Sequence, residues 1–241
     1  MGIDTIKIQN KGNTKIIAHR GLSGIERQNT NSAFVAAGNR SYFGIETDIH
    51  TTTGEEFAVI HDDTTRSVSD TNIIVEESSY DTLSQIILKN TDSIERIDLR
   101  IPTLRQYISI CKKYGKFAVL EIKNRFTRTD IEKVISQIHE LSYIDNVIFI
   151  SFNLDNLIDL HELLPNAKIQ YLFSKLSQQA IDAVKTYGFD VDVHYDVATK
   201  DFIQYMHSLG KQVNTWTVDK LEIAEKLIDN GIDYITSNIL E

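Results

Sequence analysis

The amino-acid sequence predicts an α/β protein that forms one closed (β/α)8 barrel over residues 1–241, and three observations support this prediction. Eight short apolar runs with β-like composition alternate with helical patterns along most of the chain. The length of 241 residues is close to the roughly 250 that such a barrel typically needs. The sequence also lacks the glycine-rich fingerprint of the competing doubly wound sheet.

The composition is that of an ordinary globular protein with an excess of acidic residues. Hydrophobic residues make up 41% of the chain and charged residues 24%, which is enough for a sizeable core and too apolar for a disordered chain. The formal net charge of −9 argues against a protein that neutralises nucleic-acid phosphates or anionic lipid over a broad surface. An anionic substrate would therefore need a local cationic pocket.

The cysteine content and the hydropathy of the chain predict a cytoplasmic protein. Cys111 is the only cysteine, so no intramolecular disulfide can form and no oxidising compartment is implied. The polar segment Met1–Lys15 lacks the apolar run of a signal peptide, and no stretch approaches the ~18 apolar residues of a membrane span. We therefore expect a soluble protein without stable membrane insertion, and the sequence marks no oligomer interface.

The first part of the chain predicts two barrel strands and a hairpin. The run Ile16–Gly21 predicts the first strand, and a capping cluster at Thr30 precedes a predicted helix over Ser32–Arg40. The second strand is predicted over Gly44–Thr51, and a glycine-containing turn joins it to the run Phe57–Asp62. These two runs predict a β-hairpin extension, whose return arm does not count as a barrel strand.

Residues 63–99 are predicted to form an insertion after the second strand. They lack sustained periodicity and are rich in Asp, Ser and Thr, with one short helix predicted over Tyr80–Lys89. A segment of this length inside a compact chain more often has a function than serves only as a connecting loop. We therefore expect the insertion to cover the active rim of a single (β/α)8 TIM-barrel domain.

From Pro102 onward, helical and β-like patterns alternate regularly. Further helices are predicted over Thr103–Tyr114, Asp130–Leu141, Leu154–Leu164, Ser177–Tyr187, Asp201–Leu209 and Leu221–Asn230. Further strands are predicted over Phe117–Lys123, Val147–Phe152, Ile169–Phe173, Phe189–His194, Gln212–Val218 and Tyr234–Thr236. With the first two strands they complete a closed parallel barrel, whose active site lies where the strands run out into βα loops.

Three carboxylates fall near the ends of two neighbouring strands. Side chains alternate along a strand, so Glu46 and Asp48 point to one side of the second strand, as do Glu121 and Lys123 on the next. An oxygen-rich cluster without thiolates is typical of a site for one hard divalent cation, Mg2+ or Ca2+. The alternative is that Glu46 and Asp48 only form salt bridges with Arg20 and Lys123. Charges within an apolar strand are costly, however, unless they are paired or bind a metal.

Two histidines end separate β-like runs near the same rim. His19 follows the first strand with Arg20 beside it, and His61 follows the return arm of the hairpin. Two imidazoles in one pocket can act as a general base and a general acid near neutral pH, since one accepts a proton while the other donates one to a leaving group. We therefore predict that His19 and His61 are catalytic, whereas His50 and His194 are interpreted first as structural residues.

Five short motifs occur in series between residue 16 and about residue 237. They are Ala18-His19-Arg20-Gly21, Glu46-Thr47-Asp48, His61-Asp62, Leu120-Glu121-Ile122-Lys123 and Trp216-Thr217-Val218-Asp219. This series resembles that of the glycerophosphodiester phosphodiesterase family. The resemblance implies a (β/α)8 barrel with an insertion after the second strand. It also implies hydrolysis of glycerophosphodiesters to sn-glycerol 3-phosphate and an alcohol.

The resemblance implies a role for each matching residue. It assigns the divalent cation to the three carboxylates predicted above and the acid/base steps to the two strand-end histidines. It also implies that Arg20 and Lys123 bind the substrate phosphate and that Trp216 lines the pocket beside the glycerol. The cation and the guanidinium of Arg20 would together stabilise the charge that grows in the transition state.

Two positions depart from the pattern of the family. Gln28 stands in Arg27-Gln28-Asn29-Thr30 where the family has a glutamate, so a neutral amide replaces a carboxylate two residues from Glu26. The final strand reads Ile235-Thr236-Ser237-Asn238, where the family tends to have Thr-Asp and then Pro. The first departure bears on metal affinity or substrate choice, and the second on the closure of the barrel.

Two other functions compete with phosphodiester hydrolysis. Lys123 would be a Schiff-base lysine in a barrel aldolase or isomerase of phosphorylated sugars, but such a mechanism has no need of three carboxylates. Gln28 would suit a catalytically silent module that binds phosphodiesters, against which the two histidines and the carboxylates argue. A metal-dependent lyase that leaves a cyclic phosphate is a variant of the hydrolase.

Overall fold

The computed structural model describes residues 4–92 and 94–241 and contains nine strands and eight helices within these ranges. The strands are β1 (Lys15–Ala18), β2 (Gly44–His50), β3 (Ala58–Val59), β4 (Phe117–Ile122), β5 (Val147–Ser151), β6 (Lys168–Phe173), β7 (Asp190–His194), β8 (Val213–Trp216) and β9 (Tyr234–Ser237). The helices are α1 (Asn31–Gly38), α2 (Tyr80–Ser84), α3 (Leu104–Tyr114), α4 (Arg128–Glu140), α5 (Leu154–Leu163), α6 (Gln178–Tyr187), α7 (Lys200–Ser208) and α8 (Leu221–Asp229).

Backbone pairing closes eight of these strands into a ring. β1 pairs in parallel with β2, where Ile17 lies opposite Gly44, and with β9, where Ile17 lies opposite Thr236. The rest of the ring runs β2, β4, β5, β6, β7, β8 and β9, and each neighbouring pair is parallel. A closed ring has no edge strand and brings all of its carboxyl ends to one rim. The predicted (β/α)8 TIM barrel is therefore confirmed.

The predicted hairpin extension is also present. β3 is antiparallel to β2, with Ile49 opposite Val59 and His50 opposite Ala58. This arm is shorter than the predicted run Phe57–Asp62 because only two residues join the ladder, although the Ile60 N–H still donates to the Asp48 carbonyl oxygen at 3.1 Å. The chain leaves the ladder there and delivers the next residues to the rim.

Side-chain caps set where most of the wall helices begin. Thr103 and Gln106 form a reciprocal capping box at the start of α3, which ends at Gly115 with a φ of 63°. A similar box of Thr127 and Asp130 starts α4, whose 13 residues make it the longest described helix. The apolar face of α3 packs on the barrel and buries Cys111 completely. None of the helices in the described ranges is both long and apolar enough to cross a membrane.

The residues of the predicted insertion build a small apolar cluster beside the hairpin. Its members, with the hairpin and flanking residues that they contact, are Ala58, Ile60, Val68, Val75, Leu83, Ile86, Leu88, Leu99 and Ile101. The helix predicted over Tyr80–Lys89 is wrong beyond Ser84. The backbone there turns into other pairings, since the Leu88 N–H donates to the Leu99 carbonyl oxygen at 2.9 Å and the Lys89 N–H donates to that of Val68 at 2.8 Å.

Two arginines connect the insertion to the loop after β1. Arg27 donates to the carbonyl oxygens of Lys89 and, at 3.0 Å, of Asn90. Arg96 forms an ion pair of 2.7 Å with Glu26. The insertion is thus attached at the rim where β1 and β2 end.

Candidate active site

The three predicted carboxylates converge at the carboxyl ends of β2 and β4. Asp48 lies directly opposite Glu121 in the parallel pairing, and Glu46 is one inward position below Asp48. One oxygen from each lies within 4.8 Å of the others, and the three residues are only 1% to 7% exposed. The alternation of side chains along β2 and β4 therefore brings the three carboxylates together, as predicted.

This cluster fits a hard divalent cation. All of its donor atoms are carboxylate oxygens, which are the ligands that Mg2+ and Ca2+ prefer. Asp48 Oδ1 is buried and accepts no hydrogen bond from the described residues. A buried acceptor without a partner is costly, and a cation held among the three carboxylates would supply that partner.

The electrostatics of the cluster point the same way. Burial, with the neighbouring charge of Asp48, raises the pKa of Glu121 to about 8 and the pKa of Glu46 well above its usual range. Burial alone would raise the pKa of Asp48 too, but the charges of Arg20 and Lys123 hold it well below the usual value. Three close carboxylates cannot all be ionised without added positive charge, and a divalent cation would provide it.

Asn29 holds Asp48 in place, a role that was not predicted from the sequence. Its Nδ2 donates to Asp48 Oδ2 at 2.8 Å, and its Oδ1 accepts a hydrogen bond of 2.7 Å from the Thr47 hydroxyl. Asn29 is 3% exposed and has a φ of +54°. Asparagine is among the few residues that tolerate this left-handed conformation, which is the signal that the sequence offered for it.

Arg20 lies over the carboxylates through both its backbone and its side chain. With a φ of +54°, its backbone N–H donates to Glu46 Oε2 at 2.8 Å. Its Nε lies 3.5 Å from Asp48 Oδ2, and its Nη1 donates to Gln28 Oε1 at 2.9 Å. Gln28 therefore contacts the guanidinium, and Glu26 does not replace the missing carboxylate because it is paired with Arg96.

Lys123 is the second cation at the site. Its Nζ lies 3.0 Å from Glu121 Oε1 and 3.7 Å from Asp48 Oδ1. Burial would lower the pKa of Lys123, but the two carboxylates outweigh it and raise the pKa. The ammonium is therefore charged at neutral pH and lies beside Arg20, where two positive groups can meet an anion.

His19 is anchored from behind by Asn238. Its Nδ1 lies 2.7 Å from Asn238 Oδ1, which requires Nδ1 to carry the proton and leaves Nε2 free, 4.0 Å from Glu46 Oε2. Burial and the charge of Arg20 lower the pKa of His19 to about 4. Asn238 is itself held by Asp219, through bonds of 2.6 and 2.8 Å. Asn238 is one of the residues that depart from the family pattern at the last strand. Because it contacts a predicted catalytic histidine, this departure affects more than the closure of the barrel.

His61 occupies the same rim at the end of the hairpin. Its Nδ1 lies 2.6 Å from Asp62 Oδ1 and its side chain is one-third exposed, at 33%. Burial lowers the pKa of His61, while Asp62 orients the ring. His50 is buried beneath it, where its Nε2 donates to the His61 carbonyl oxygen at 3.1 Å and its Nδ1 contacts Glu76. His50 therefore supports the backbone of His61, as expected of a structural residue.

A cavity opens between these groups and an apolar wall from the opposite strands. The polar side is formed by His19, Arg20, Glu46, His61 and Glu121. The apolar side is formed by Ile150, Phe152, Leu172 and Trp216, with Asp192 and Thr236 deeper in the barrel. Edge-to-face contacts place Phe152 and His194 against the Trp216 ring, at 5.6 and 5.5 Å between centroids. The cavity therefore brings together all the predicted site residues except Asp48 and Lys123, which lie directly beside Glu121.

The chain is similar in sequence to known phosphodiesterases. Residues 19–240 match the model of the glycerophosphoryl diester phosphodiesterase family. The chain is 27% identical over 228 residues to a glycerophosphodiester phosphodiesterase of Bacillus altitudinis, with 92% of this chain and 93% of that protein covered.

Solved structures share the fold. A glycerophosphodiester phosphodiesterase from Parabacteroides distasonis has a TM-score of 0.81 at 29% identity, covering 95% of this chain and 94% of its own. An Oleispira antarctica phosphodiesterase, solved with the product sn-glycerol-3-phosphate, has a TM-score of 0.82 at 21% identity and 93% coverage of both chains. With the family model matched over nearly the whole length, the chain belongs to the glycerophosphoryl diester phosphodiesterase family, which confirms the family and the enzyme class predicted from its motifs.

Proposed function

We propose that the protein is a metal-dependent hydrolase that converts glycerophosphodiesters to sn-glycerol 3-phosphate and an alcohol. The observation that carries this proposal is the meeting of two imidazoles, three carboxylates and two cations around one cavity. The product complex of the Oleispira antarctica relative supports sn-glycerol 3-phosphate as one product. This activity would place the protein in glycerol and lipid metabolism.

The carboxylates of Glu46, Asp48 and Glu121 would hold one divalent cation, Mg2+ or Ca2+. When bound, the cation supplies Lewis-acid polarisation of a phosphoryl oxygen and offsets negative charge in the cluster. Arg20 and Lys123 would bind the remaining phosphate oxygens. A guanidinium offers a planar pair of donors and an ammonium a compact charge, so the two together oppose the charge that grows on the phosphoryl group.

His19 and His61 would carry the two proton transfers. Each ring has its Nδ1 anchored, on Asn238 and on Asp62 respectively, so Nε2 is the atom left to exchange a proton with the substrate. One histidine deprotonates the attacking oxygen, which comes from water or from a hydroxyl of the substrate, and the other protonates the departing alkoxide. A general acid–base pair of this kind contributes about 100-fold or more to the rate.

The two competing functions find less support in the same contacts. A Schiff-base lysine must lose its proton before it attacks a carbonyl, whereas the carboxylates beside Lys123 raise its pKa. A catalytically silent module would not need two oriented imidazoles next to an anion site. Borohydride trapping of Lys123 with a phosphorylated sugar, and tight diester binding without turnover, are the results that would favour these alternatives.

The decisive experiment is turnover of glycerophosphocholine, glycerophosphoethanolamine and glycerophosphoglycerol with and without EDTA. We expect activity that EDTA abolishes and that Mg2+ or Ca2+ restores. The variants His19→Ala and His61→Ala should each lose about 100-fold in kcat, whereas His139→Gln on the exposed end of α4 should not. Phosphorus NMR of the products separates hydrolysis from release of a cyclic phosphate. Turnover that is independent of metal, or none with any diester, would contradict the proposal.

We also propose that the chain is a single domain with the insertion at about residues 63–99. The apolar cluster of the insertion includes Ala58 and Ile60 of the hairpin, and Arg27 and Arg96 connect the insertion to the loop after β1, so the insertion packs against the barrel domain at its rim. The binding partner at the candidate active site would be a small molecule, the glycerophosphodiester substrate. The cytoplasmic location stays a prediction.

A further inference from the structure

The deep end of the cavity contains a carboxyl group that the proposed mechanism does not use. Asp192 lies on β7, one inward position below His194, and is 2% exposed. Its Oδ1 is buried and accepts no hydrogen bond from the described residues. Buried polar groups in folded proteins almost always have a partner, and each exception needs an explanation. The carboxyl group lines the cavity, so the missing partner can come from there.

The polar neighbours of Asp192 are occupied with each other. Asn214, directly across the ladder from Asp192, donates to Gln170 Oε1 at 3.2 Å and accepts a bond of 3.2 Å from the Thr236 hydroxyl. Asp190, two residues earlier on the same strand, accepts the Gln212 N–H at 2.8 Å. The protein therefore satisfies the polar groups around Asp192 without including it.

Asp192 is also separate from the candidate metal cluster. The carboxylates that come within ligand distance of one another are Glu46, Asp48 and Glu121. Asp192 comes from the opposite side of the ring, where it pairs with Leu172 of β6 and Asn214 of β8, and it lines the same cavity as Trp216. It therefore faces the part of a bound substrate that extends from the phosphate toward the apolar wall.

A matching donor lies in the same wall. Trp216 Nε1 is buried and donates to no acceptor among the described residues, and the indole lines the cavity with Asp192. An alcohol hydroxyl is both a donor and an acceptor. One hydroxyl group can therefore donate to the carboxyl of Asp192, and a hydroxyl oxygen can accept from the indole, which leaves neither protein group unpaired.

We propose that Asp192 is a specificity-determining residue that binds a hydroxyl group of the glycerol moiety, with Trp216 Nε1 as the complementary donor. This inference rests on the proposed hydrolysis of glycerophosphodiesters. A site built to pair with a hydroxyl rejects an analogue that lacks it, because the buried polar groups are then left without partners. Asp192 thus selects polyol phosphodiesters over diesters of simpler alcohols.

The test compares phosphocholine diesters of glycerol, 1,2-propanediol and 1,3-propanediol, which differ by one hydroxyl group. We expect the wild type to prefer the glycerol diester over one of the two deoxy diesters by on the order of 10- to 100-fold in kcat/KM. Asp192→Leu should lose this preference, because its kcat/KM on the glycerol diester falls toward its kcat/KM on the deoxy diester. Asp192→Asn keeps an acceptor oxygen and should retain most of the preference.

Asp190→Asn is the matched control, since Asp190 is the same residue type on the same strand but lines a cavity at the other end of the barrel. It should leave the preference unchanged. Calorimetry in Mg2+ provides a second readout, with sn-glycerol 3-phosphate compared with the monophosphates of the two propanediols. If the wild type cleaves no diester, the proposed hydrolysis fails, and the binding measurement still decides the role of Asp192.

Two results would overturn this role. One is a wild-type protein that does not distinguish glycerol from either propanediol, in turnover or in binding, as expected if a fixed water satisfies Asp192. The other is an Asp192→Leu variant that is folded by circular dichroism and keeps the wild-type preference.

Discussion

Gly21 occupies a position that only glycine fits, and replacing it tests how the first motif is built. Its φ is +76°, and a Cβ there would lie 2.7 Å from the backbone carbon of Ala33 in α1. Its N–H donates to the Glu46 carbonyl oxygen at 3.2 Å. A side chain at Gly21 would therefore both strain the backbone and push the β1 loop away from α1.

The expected cost of Gly21→Ala has two parts. The left-handed conformation costs an L-residue about 1–2 kcal/mol, and overpacking against backbone that cannot rotate away costs about 1–3 kcal/mol. Together they predict a loss of about 2–5 kcal/mol in the free energy of unfolding. Because Arg20 precedes Gly21 and donates its N–H to Glu46, kcat/KM should fall as well.

Gly210→Ala provides the matched control. Gly210 has a similar φ of +72°, but a Cβ there would meet nothing within 4 Å. It should therefore lose only the conformational part, about 1–2 kcal/mol, and keep full activity. Urea unfolding followed by the fluorescence of Trp216, the only tryptophan, measures both variants. Equal destabilisation of the two would refute the steric reasoning at Gly21.

Three further predictions follow from other contacts. Asn238→Ala removes the acceptor of His19 Nδ1 and should lower kcat by roughly five- to tenfold with little change in KM; a change confined to KM would contradict the anchoring role. Burial raises the pKa of Cys111 to about 12, so a disulfide reagent such as Ellman's should leave the folded protein unlabelled and label one thiol in urea; rapid labelling of the native state would contradict this. Lys7 and the Ser41 N–H hold the pKa of Glu241 at about 2, against a usual value of 4.5, although burial opposes them. Because the pKa of Glu241 is lower in the folded protein, its carboxylate stabilises the fold above pH 4.5, and this contribution is lost as the pH falls toward 2. Glu241→Gln should therefore lower the free energy of unfolding at pH 7. The difference in free energy of unfolding between the variant and the wild type should shrink as the pH falls from 4.5 toward 2.

The periodicity of the sequence explains why the barrel and its carboxylates were predictable. Alternation along a strand places Glu46 and Asp48 on one face regardless of what surrounds them. Parallel closure then brings the ends of β2 and β4 to the same rim, where Asp48 lies opposite Glu121. Local patterns of this kind do not depend on distant contacts. The helix over Tyr80–Lys89 failed for the opposite reason, since partners in Leu99 and Val68 take the backbone N–H groups of Leu88 and Lys89.

The residues that the sequence did not reveal are held by contacts between distant segments. Asn238 binds His19 across 219 positions, and Asn29 reaches Asp48 from a loop whose backbone is left-handed. Asp192 shares the inward orientation of Asp190 and His194 on its strand, but only the folded barrel shows that Asp192 Oδ1 accepts no hydrogen bond from the described residues, whereas Asp190 Oδ1 accepts one. The alternation of side chains along a strand identifies which residues point inward. Whether the polar atoms of those residues find hydrogen-bond partners depends on all of their neighbours in the fold.

Gln28 shows why a departure from a family pattern has to be weighed by its contacts. Its amide oxygen accepts from Arg20 Nη1 at 2.9 Å, while the cluster formed by the three carboxylates does not include it. A glutamate in the same place would form a charge-assisted bond to the guanidinium, which is roughly twice as strong as a neutral one, and would compete with a substrate phosphate for the same donors. The neutral amide orients Arg20 without neutralising it. The substitution therefore bears on how firmly Arg20 is held for an anion, and it leaves the proposed cation ligands unchanged.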